Sequence, residues 1–396
     1  MGVVEAADKI INNHHILIEA SLCSRFRTPK SECALCADSC PAGAIDISEE
    51  GSEIKAGCMD CGVCISACPN GVFRMKERDD EKIIAEIREK SGKEKVFGIS
   101  CQRGDNSADL MVPCLGRLSE AMLLEPIKAG VLNIEISRPE CGGCPNSKAS
   151  SNIDRIINNV SAVYGMAGIE KDRLIIKRIP LQPLSKMPEK AVSRREFFSA
   201  FRAKAAEVAV TSLPDVGTEE EKETFIGAIA RKPENFKRKL LIYALDGFSS
   251  SKETNVPSTD AMLAELEVSS GCTGCGVCAT LCPAGALTQK QEDGKFSLSF
   301  KPALCVNCRV CEETCLPKAV KIKETARLNY LLEDAEIKVF ETERNACSVC
   351  GMDFVAATES LQISGEPGTN DICPLCVSRH KKQMAFIQNG FIKASA

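Results

Sequence analysis

The chain has 396 residues and a net charge of −4 with no long basic run, which argues against a nucleic-acid partner. It carries 24 cysteines beside three histidines and no tryptophan, and apolar stretches such as "LLIYAL" (240–245) are far too short to span a bilayer. Grouped as C-x2-C pairs, with no signal peptide at Met1, these cysteines point to metal or iron–sulfur ligation in a reducing cytoplasm rather than to a secreted disulfide framework.

The length predicts two to four domains, and the cysteines fall into blocks at 23–68, 101–144, 272–315 and 347–376. "HILIEA" (15–20) reads as a strand leading into the first block. There "KSECALCADSCP" keeps Cys33, Cys36 and Cys40–Pro41 in step with the cluster-binding run C-x2-C-x2-C-x3-C-P, but Lys30 holds the place of the first cysteine. An ammonium cannot ligate iron. Cys23 is the unassigned thiol upstream, and nine residues separate it from Cys33, enough to loop around a cube. A complete run follows at Cys58, Cys61, Cys64 and Cys68–Pro69. Because the fourth cysteine of each run ligates the other cluster, the expected sets are Cys23, Cys33, Cys36, Cys68 and Cys58, Cys61, Cys64, Cys40. The alternative is a three-thiolate [3Fe–4S] cluster with Cys23 idle. Lys30 is then expected to sit near the cube, where a cation favours the more negative reduced state. Between the runs "AIDISEEGSEIKA" (44–56) reads as a hairpin with a Glu-Gly-Ser turn, and 79–91 as an amphipathic helix leading out of the module.

In the second block "EKVFGIS" (94–100) reads as a strand ending at Cys101, 116–130 as a helix, and "VLNIEIS" (131–137) as a strand followed by Cys141 and Cys144. A helix (152–168) and a strand (173–179) close the unit. Open α/β sheets place ligands at the carboxyl ends of their strands, where these cysteines fall. Cys101 after a strand, "CLGRLSEAMLLEPIKAG", the later cysteine pair and "AGIEKDRLIIKRI" together resemble the iron–sulfur delta subunit of methyl-viologen-reducing hydrogenases. That resemblance implies a thioredoxin-like fold holding a [2Fe–2S] cluster on Cys101, Cys114, Cys141 and Cys144. It departs from the family at Cys101, which stands alone where a C-x2-C pair is usual. The alternative is a redox-active dithiol at Cys141/Cys144.

Residues 181–265 contain no cysteine and read as a partly helical connector. Within it "SRREFFSAF" (193–201) resembles a twin-arginine export signature, but it lies in mid-chain without a long apolar segment after it. A helix start capped by Ser193 and Glu196, with Phe197, Phe198 and Phe201 on its buried face, fits better.

The third block is complete: Cys272, Cys275, Cys278 and Cys282–Pro283 form one run, and Cys305, Cys308, Cys311 and Cys315 the other, with Leu316 before Pro317. "CGVCATLCPAGAL" (275–287) parallels "CGVCISACPNGVF" (61–73), the mark of a duplicated module. Asp293–Gly294 signals a hairpin within 286–300. The block resembles bacterial two-cluster ferredoxins, with crossed sets Cys272, Cys275, Cys278, Cys315 and Cys305, Cys308, Cys311, Cys282; two structural zinc sites are the alternative. Gly274, Gly276 and Ala279 let backbone N–H groups approach the sulfurs. The last block pairs Cys347/Cys350 with Cys373/Cys376, knuckles that suit tetrahedral zinc, with rubredoxin-like iron as the alternative.

The expected fold is an α+β multidomain chain: dicluster ferredoxin-like modules at 1–80 and 266–325, a thioredoxin-like [2Fe–2S] domain at 93–180, the connector, and a small zinc-ribbon-like module at 340–396. No G-x-G-x-x-G follows a strand, there is no P-loop, and His14, His15 and His380 form no catalytic constellation. The leading function is a cytoplasmic electron-transfer subunit with four [4Fe–4S] clusters, one [2Fe–2S] cluster and one Zn2+. The delta-subunit resemblance implies anaerobic metabolism and a partner such as a flavoprotein, hydrogenase, formate dehydrogenase or heterodisulfide-reductase-like subunit. A thiol–disulfide or heterodisulfide-type reductase subunit centred on Cys141/Cys144, or an iron–sulfur sensor or docking protein, are the rivals.

Overall fold

A computed structural model describes residues 14–92, 95–184, 225–258 and 262–355, and residues 372, 373, 375, 376, 378 and 379. The segment "SRREFFSAF" lies outside the described residues, as does His380.

The first cysteine-rich unit is framed by a short antiparallel pair, β1 (Ile16–Ile18) with β4 (Phe73–Met75), in the register Ile16↔Met75 and Ile18↔Phe73. Ile16 and Phe73 are buried on its inner face, with Leu22, Ile54, Ile65 and Val72 completing a small core around the cysteines. Helices α1 (Ser24–Arg27) and α2 (Leu35–Asp38) follow Cys23 and Cys33. The hairpin β2 (Ile45–Ser48)/β3 (Gly51–Ile54) pairs Ser48 with Gly51, so the turn is Glu49–Glu50 and begins one residue before the expected Glu50–Gly51–Ser52. Gly51 at φ +112° takes the strained position that begins β3.

Helix α3 (Val63–Ala67) starts at Gly62, whose φ of +72° suits a residue without Cβ. A Cβ there would also run into the Arg117 side chain. Gly62→Ala is therefore expected to cost at least about 1–2 kcal/mol from the left-handed backbone alone, read as a lower midpoint of anaerobic denaturation. Helix α4 (Asp80–Lys90) follows, capped by Asp79, whose carboxylate accepts from the Lys82 N–H at 2.9 Å.

The middle unit is a four-stranded sheet in the order β6-β5-β7-β8: β5 (Val96–Cys101), β6 (Leu110–Val112), β7 (Asn133–Pro139) and β8 (Leu174–Ile179). Every pairing is parallel. This corrects the expected thioredoxin-like sheet, which needs an antiparallel strand. Helices α5 (Glu120–Lys128) and α6 (Ser150–Ala167) each return the chain to the same end, so β7 and β8 add in parallel, as in a doubly wound sheet. Strands buried on both faces suit such a sheet, and β6 is apolar throughout. Strand β6 has only three residues and no alternation, so the sequence carries little signal for it.

Between the units lie α7 (Phe225–Ala230), α8 (Phe236–Leu245) and β9 (Asn255–Pro257). Helix α8 is more than a tether. Asn235 caps it by accepting from the Arg238 N–H at 3.1 Å and donates to the Pro69 carbonyl at 3.0 Å. Phe236 enters the first unit's core, whereas Leu241, Ala244 and Leu245 enter the core of the middle unit.

The second cysteine-rich unit repeats the frame of the first. β10 (Leu266–Val268) pairs antiparallel with β13 (Val320–Ile322), and α9 (Val277–Leu281) starts at Gly276, φ +70°. The hairpin β11 (Leu287–Glu292)/β12 (Lys295–Phe300) turns at Asp293 and Gly294, both with positive φ, as a type I′ turn requires. Helix α10 (Val310–Glu313) lies between Cys308 and Cys315, and β14 (Thr325–Arg327) pairs back with β9. A ten-residue strand, β15 (Ile337–Ala346), then joins β12 on one edge and β16 (Asp353–Val355) on the other. This carries the first C-terminal knuckle onto the second unit, where Val355 enters its core beside Gly274.

Candidate iron–sulfur and metal centres

The structure brings the cysteines of each unit together. In the first unit the Sγ atoms of Cys23 and Cys36 share one hydroxyl, Ser52 Oγ, at 3.7 and 3.6 Å. Burial pushes the Cys36 thiol up to about 12, with the Ser52 hydroxyl opposing and the charges of Cys68, Cys33 and Cys23 adding to it. Cys23 is thus not idle in position: it stands with Cys33, Cys36 and Cys68, seven residues before the place that Lys30 occupies. Cys61 is raised to about 11 by burial and faces Cys40 and Cys58, and Cys64 faces Cys61, Cys58, Cys40 and, from the other expected set, Cys36. In the second unit Cys278 faces Cys272, Cys275 and Cys315, while Cys308 and Cys311 face Cys282 and Cys305.

These sulfurs sit where iron would need them as thiolates. Backbone N–H groups donate to Cys40 Sγ from Ala44 (3.3 Å), to Cys305 Sγ from Asn307 (3.4 Å) and to Cys315 Sγ from Ala319 (3.2 Å). Such donors favour charged sulfur, whereas burial favours the neutral thiol. Occupation by iron would resolve that conflict, with release of the thiol protons. The donor set therefore fits iron–sulfur clusters.

Lys30 is exposed. Two basic residues that the sequence reading did not single out reach the cysteine loops: Arg25 Nε donates to the Cys33 carbonyl at 3.1 Å, and Lys237 Nζ, from α8, donates to the carbonyls of Ser66 and Cys68, each at 2.7 Å. Burial lowers the Lys237 pKa to about 8, opposed by Glu120 and by the Cys68 sulfur. Sequence reasoning missed Lys237 because it lies 169 residues from Cys68.

In the middle unit Cys101 ends β5, Cys114 follows β6 and Cys141 follows β7, so three adjacent parallel strands deliver cysteines to one end of the sheet. All four, with Cys144, line a single cavity that Pro113, Pro139, Ala149 and Ile153 help to enclose. Cys144 Sγ accepts from the Asn146 N–H at 3.4 Å. Burial raises Cys114 to about 12; the Gly116 N–H opposes this, and the charges of Cys61, Cys101 and Cys141 add to it. Cys61 belongs to the first unit, so two cysteine sets meet here. Their contact is built: Ser66 Oγ donates to the Gly116 carbonyl, and Asn152 Nδ2 reaches both Ser66 Oγ (2.7 Å) and that carbonyl (2.8 Å).

At the C-terminal end the ligand atoms of Cys347, Cys350, Cys373 and Cys376 all lie within 4.8 Å of one another, the one group of described residues that closes to single-ion spacing. Cys350 and Cys373 Sγ are 3.7 Å apart, close to the edge of about 3.8 Å that a tetrahedron with 2.3 Å Zn–S bonds requires. The Cys373 N–H donates to Cys347 Sγ at 3.2 Å and, with burial opposing, is the main cause that pulls Cys347 down to about 6.

Comparison with known proteins agrees with this chemistry. Residues 271–320 match the family model of the 4Fe-4S dicluster domain, and residues 100–197 match that of the delta subunit of methyl-viologen-reducing hydrogenase. The chain is therefore an iron–sulfur protein that combines a dicluster ferredoxin domain with a hydrogenase-delta-type domain. An uncharacterized ferredoxin of Methanocaldococcus jannaschii is 40% identical over 53 residues, which cover 13% of this chain and 68% of that protein. By this likeness the chain belongs to the ferredoxin family.

Proposed function

We propose that this chain is the electron-relay subunit of an anaerobic, cytoplasmic oxidoreductase complex, holding four [4Fe–4S] clusters, one [2Fe–2S] cluster and one Zn2+. Bound iron–sulfur clusters supply one-electron carriers whose potentials follow hydrogen bonding, charge and burial. The protein's part is to fix, space and insulate them. The observation that carries the reading is the junction of Cys61 with Cys114, where the cysteines of a ferredoxin-type unit and those of the hydrogenase-delta-type domain face each other across packed backbone. Hydrogenase-type redox proteins, formate dehydrogenases and heterodisulfide-reductase-like flavoproteins are the partner classes this implies. Among the described residues no helix is long and apolar enough to cross a membrane.

The rival dithiol at Cys141/Cys144 is disfavoured because Cys101 and Cys114 line the same cavity. Cys141→Ser tests this in the anaerobically purified chain. Loss of the [2Fe–2S] spectroscopic signal, with the cubes retained, is the expected result. An unchanged spectrum with a lost disulfide-reductase activity would support the dithiol instead. At the C-terminus the 3.7 Å sulfur separation supports structural zinc, which is redox-silent and would stabilise the β15/β16 edge.

A further inference from the structure

We propose that electrons pass between the two ferredoxin-type units at one seam on α8, between the set Cys23, Cys33, Cys36, Cys68 and the set Cys282, Cys305, Cys308, Cys311. Lys237 and Arg238 are the positioning residues that hold both sides ready for added negative charge. The inference rests on the iron–sulfur reading above and deepens it.

The two cations are consecutive on α8, so they leave the helix in directions about 100° apart. Lys237 Nζ reaches the Cys68 carbonyl of the first unit, and Arg238 Nη2 reaches the Cys305 carbonyl of the second. Arg27 adds a third cation: it leaves α1 of the first unit, is 1% exposed, and faces the sulfurs of Cys282 and Cys308 in the second. Its Nη1 is held by the Ile229 carbonyl at 2.9 Å. Among the described residues no carboxylate pairs with Arg238 at ion-pair distance. Its buried Nη1 has no hydrogen-bond partner there at all. A buried guanidinium held only by carbonyls is costly unless negative charge is supplied from elsewhere. Glu120 is the carboxylate that acts on Arg238 from beyond ion-pair distance, and further negative charge would lie beside Cys305.

With this seam, the five cysteine sets would be joined in series. Cys275, the exposed thiol, belongs to the set at one end, next to the C-terminal knuckles, and the half-buried Cys141 and Cys144 lie at the other. Each crossing of the seam removes one electron from one side and adds it to the other, with no bond made or broken and no proton transferred. One-electron redox proteins at the two ends supply and remove the electron.

The test is an EPR-monitored redox titration of the full chain and its variants, each with iron counted first. Lys237→Gln should lower the midpoint of the centre on the Cys68 side and leave the second unit unmoved; Arg238→Gln should do the converse. Lys237→Arg should restore the wild-type value, which a merely structural role would not require. In the reduced wild type, spin–spin coupling should link one centre of each unit. Iron-complete variants with unmoved midpoints, or a wild type without that coupling, overturn the seam while leaving the relay reading intact. A wild type well short of about 18 iron atoms counts against the relay reading instead.

Discussion

Cys23→Ser is expected to destroy or convert one centre of the first unit while sparing its neighbour. Cys23 Sγ lies with Cys36 Sγ around the Ser52 hydroxyl, and Cys33 and Cys68 complete that set from two other loops. Removing this ligand leaves three thiolates, so iron should fall from about 18 atoms per chain to between about 14 and 17, according to whether the centre is lost or retained as [3Fe–4S]. The oxidised variant should show a new [3Fe–4S] EPR signal in the second case. The centre on Cys40, Cys58, Cys61 and Cys64 should be unaffected. An unchanged iron count and spectrum would mean that Cys23 is not a ligand. Loss of both centres would mean that the two sets cannot be loaded separately, which crossed ligation allows only if Cys40, the ligand that the first run lends to the second centre, is displaced as well.

Arg117→Ala should be the most destabilising change away from the cysteines. Arg117 pairs with Asp80 through both guanidinium nitrogens, Nη2 to Oδ1 and Nη1 to Oδ2, the latter at 3.3 Å, and each side chain is 1% exposed. Removing the cation leaves a buried carboxylate without its partner, which costs about 3–5 kcal/mol. Arg117 also fills the space over Gly62 and ends the turn that begins at Cys114. Its loss should loosen the contact between the first and middle units. The expected readouts are a large drop in the anaerobic denaturation midpoint and a weakened magnetic interaction between the centres on either side. The double variant Arg117→Leu/Asp80→Leu should recover most of the stability, because a buried pair often contributes little over an apolar replacement. A single-variant cost below about 1 kcal/mol would show that the pair is solvated.

The cysteine chemistry was legible in the sequence because cluster ligation fixes spacing locally: three thiolates must come from one loop, so the runs at 58–68, 272–282 and 305–315 announce themselves. Even the displaced Cys23 could be reached by elimination, and its sulfur shares the Ser52 hydroxyl with that of Cys36. The Asp293–Gly294 hairpin was legible for a similar reason, since its turn demands positive φ at both residues. What was not legible depends on long-range packing. Strand β6 has three residues, and its place beside β5 is fixed only by the sheet, which is why the thioredoxin-like expectation gave way to a wholly parallel order. Strand β15 carries an alternating "IKVF" start (337–340) that could have marked it, but its partner β12 lies across the four cysteines of the run 305–315. Helix α8 read only as part of a connector because residues 181–265 hold no cysteine, so nothing local marked Lys237 or Arg238. Only the fold turns them toward Cys68 and Cys305.

The most direct test of the account is metal and sulfide counting on the anaerobically purified full chain, together with EPR. The account predicts about 18 iron atoms and one zinc per chain, from four cubes, one [2Fe–2S] cluster and the C-terminal cysteines. About 14 iron atoms, with the first unit holding a single cube, would contradict it.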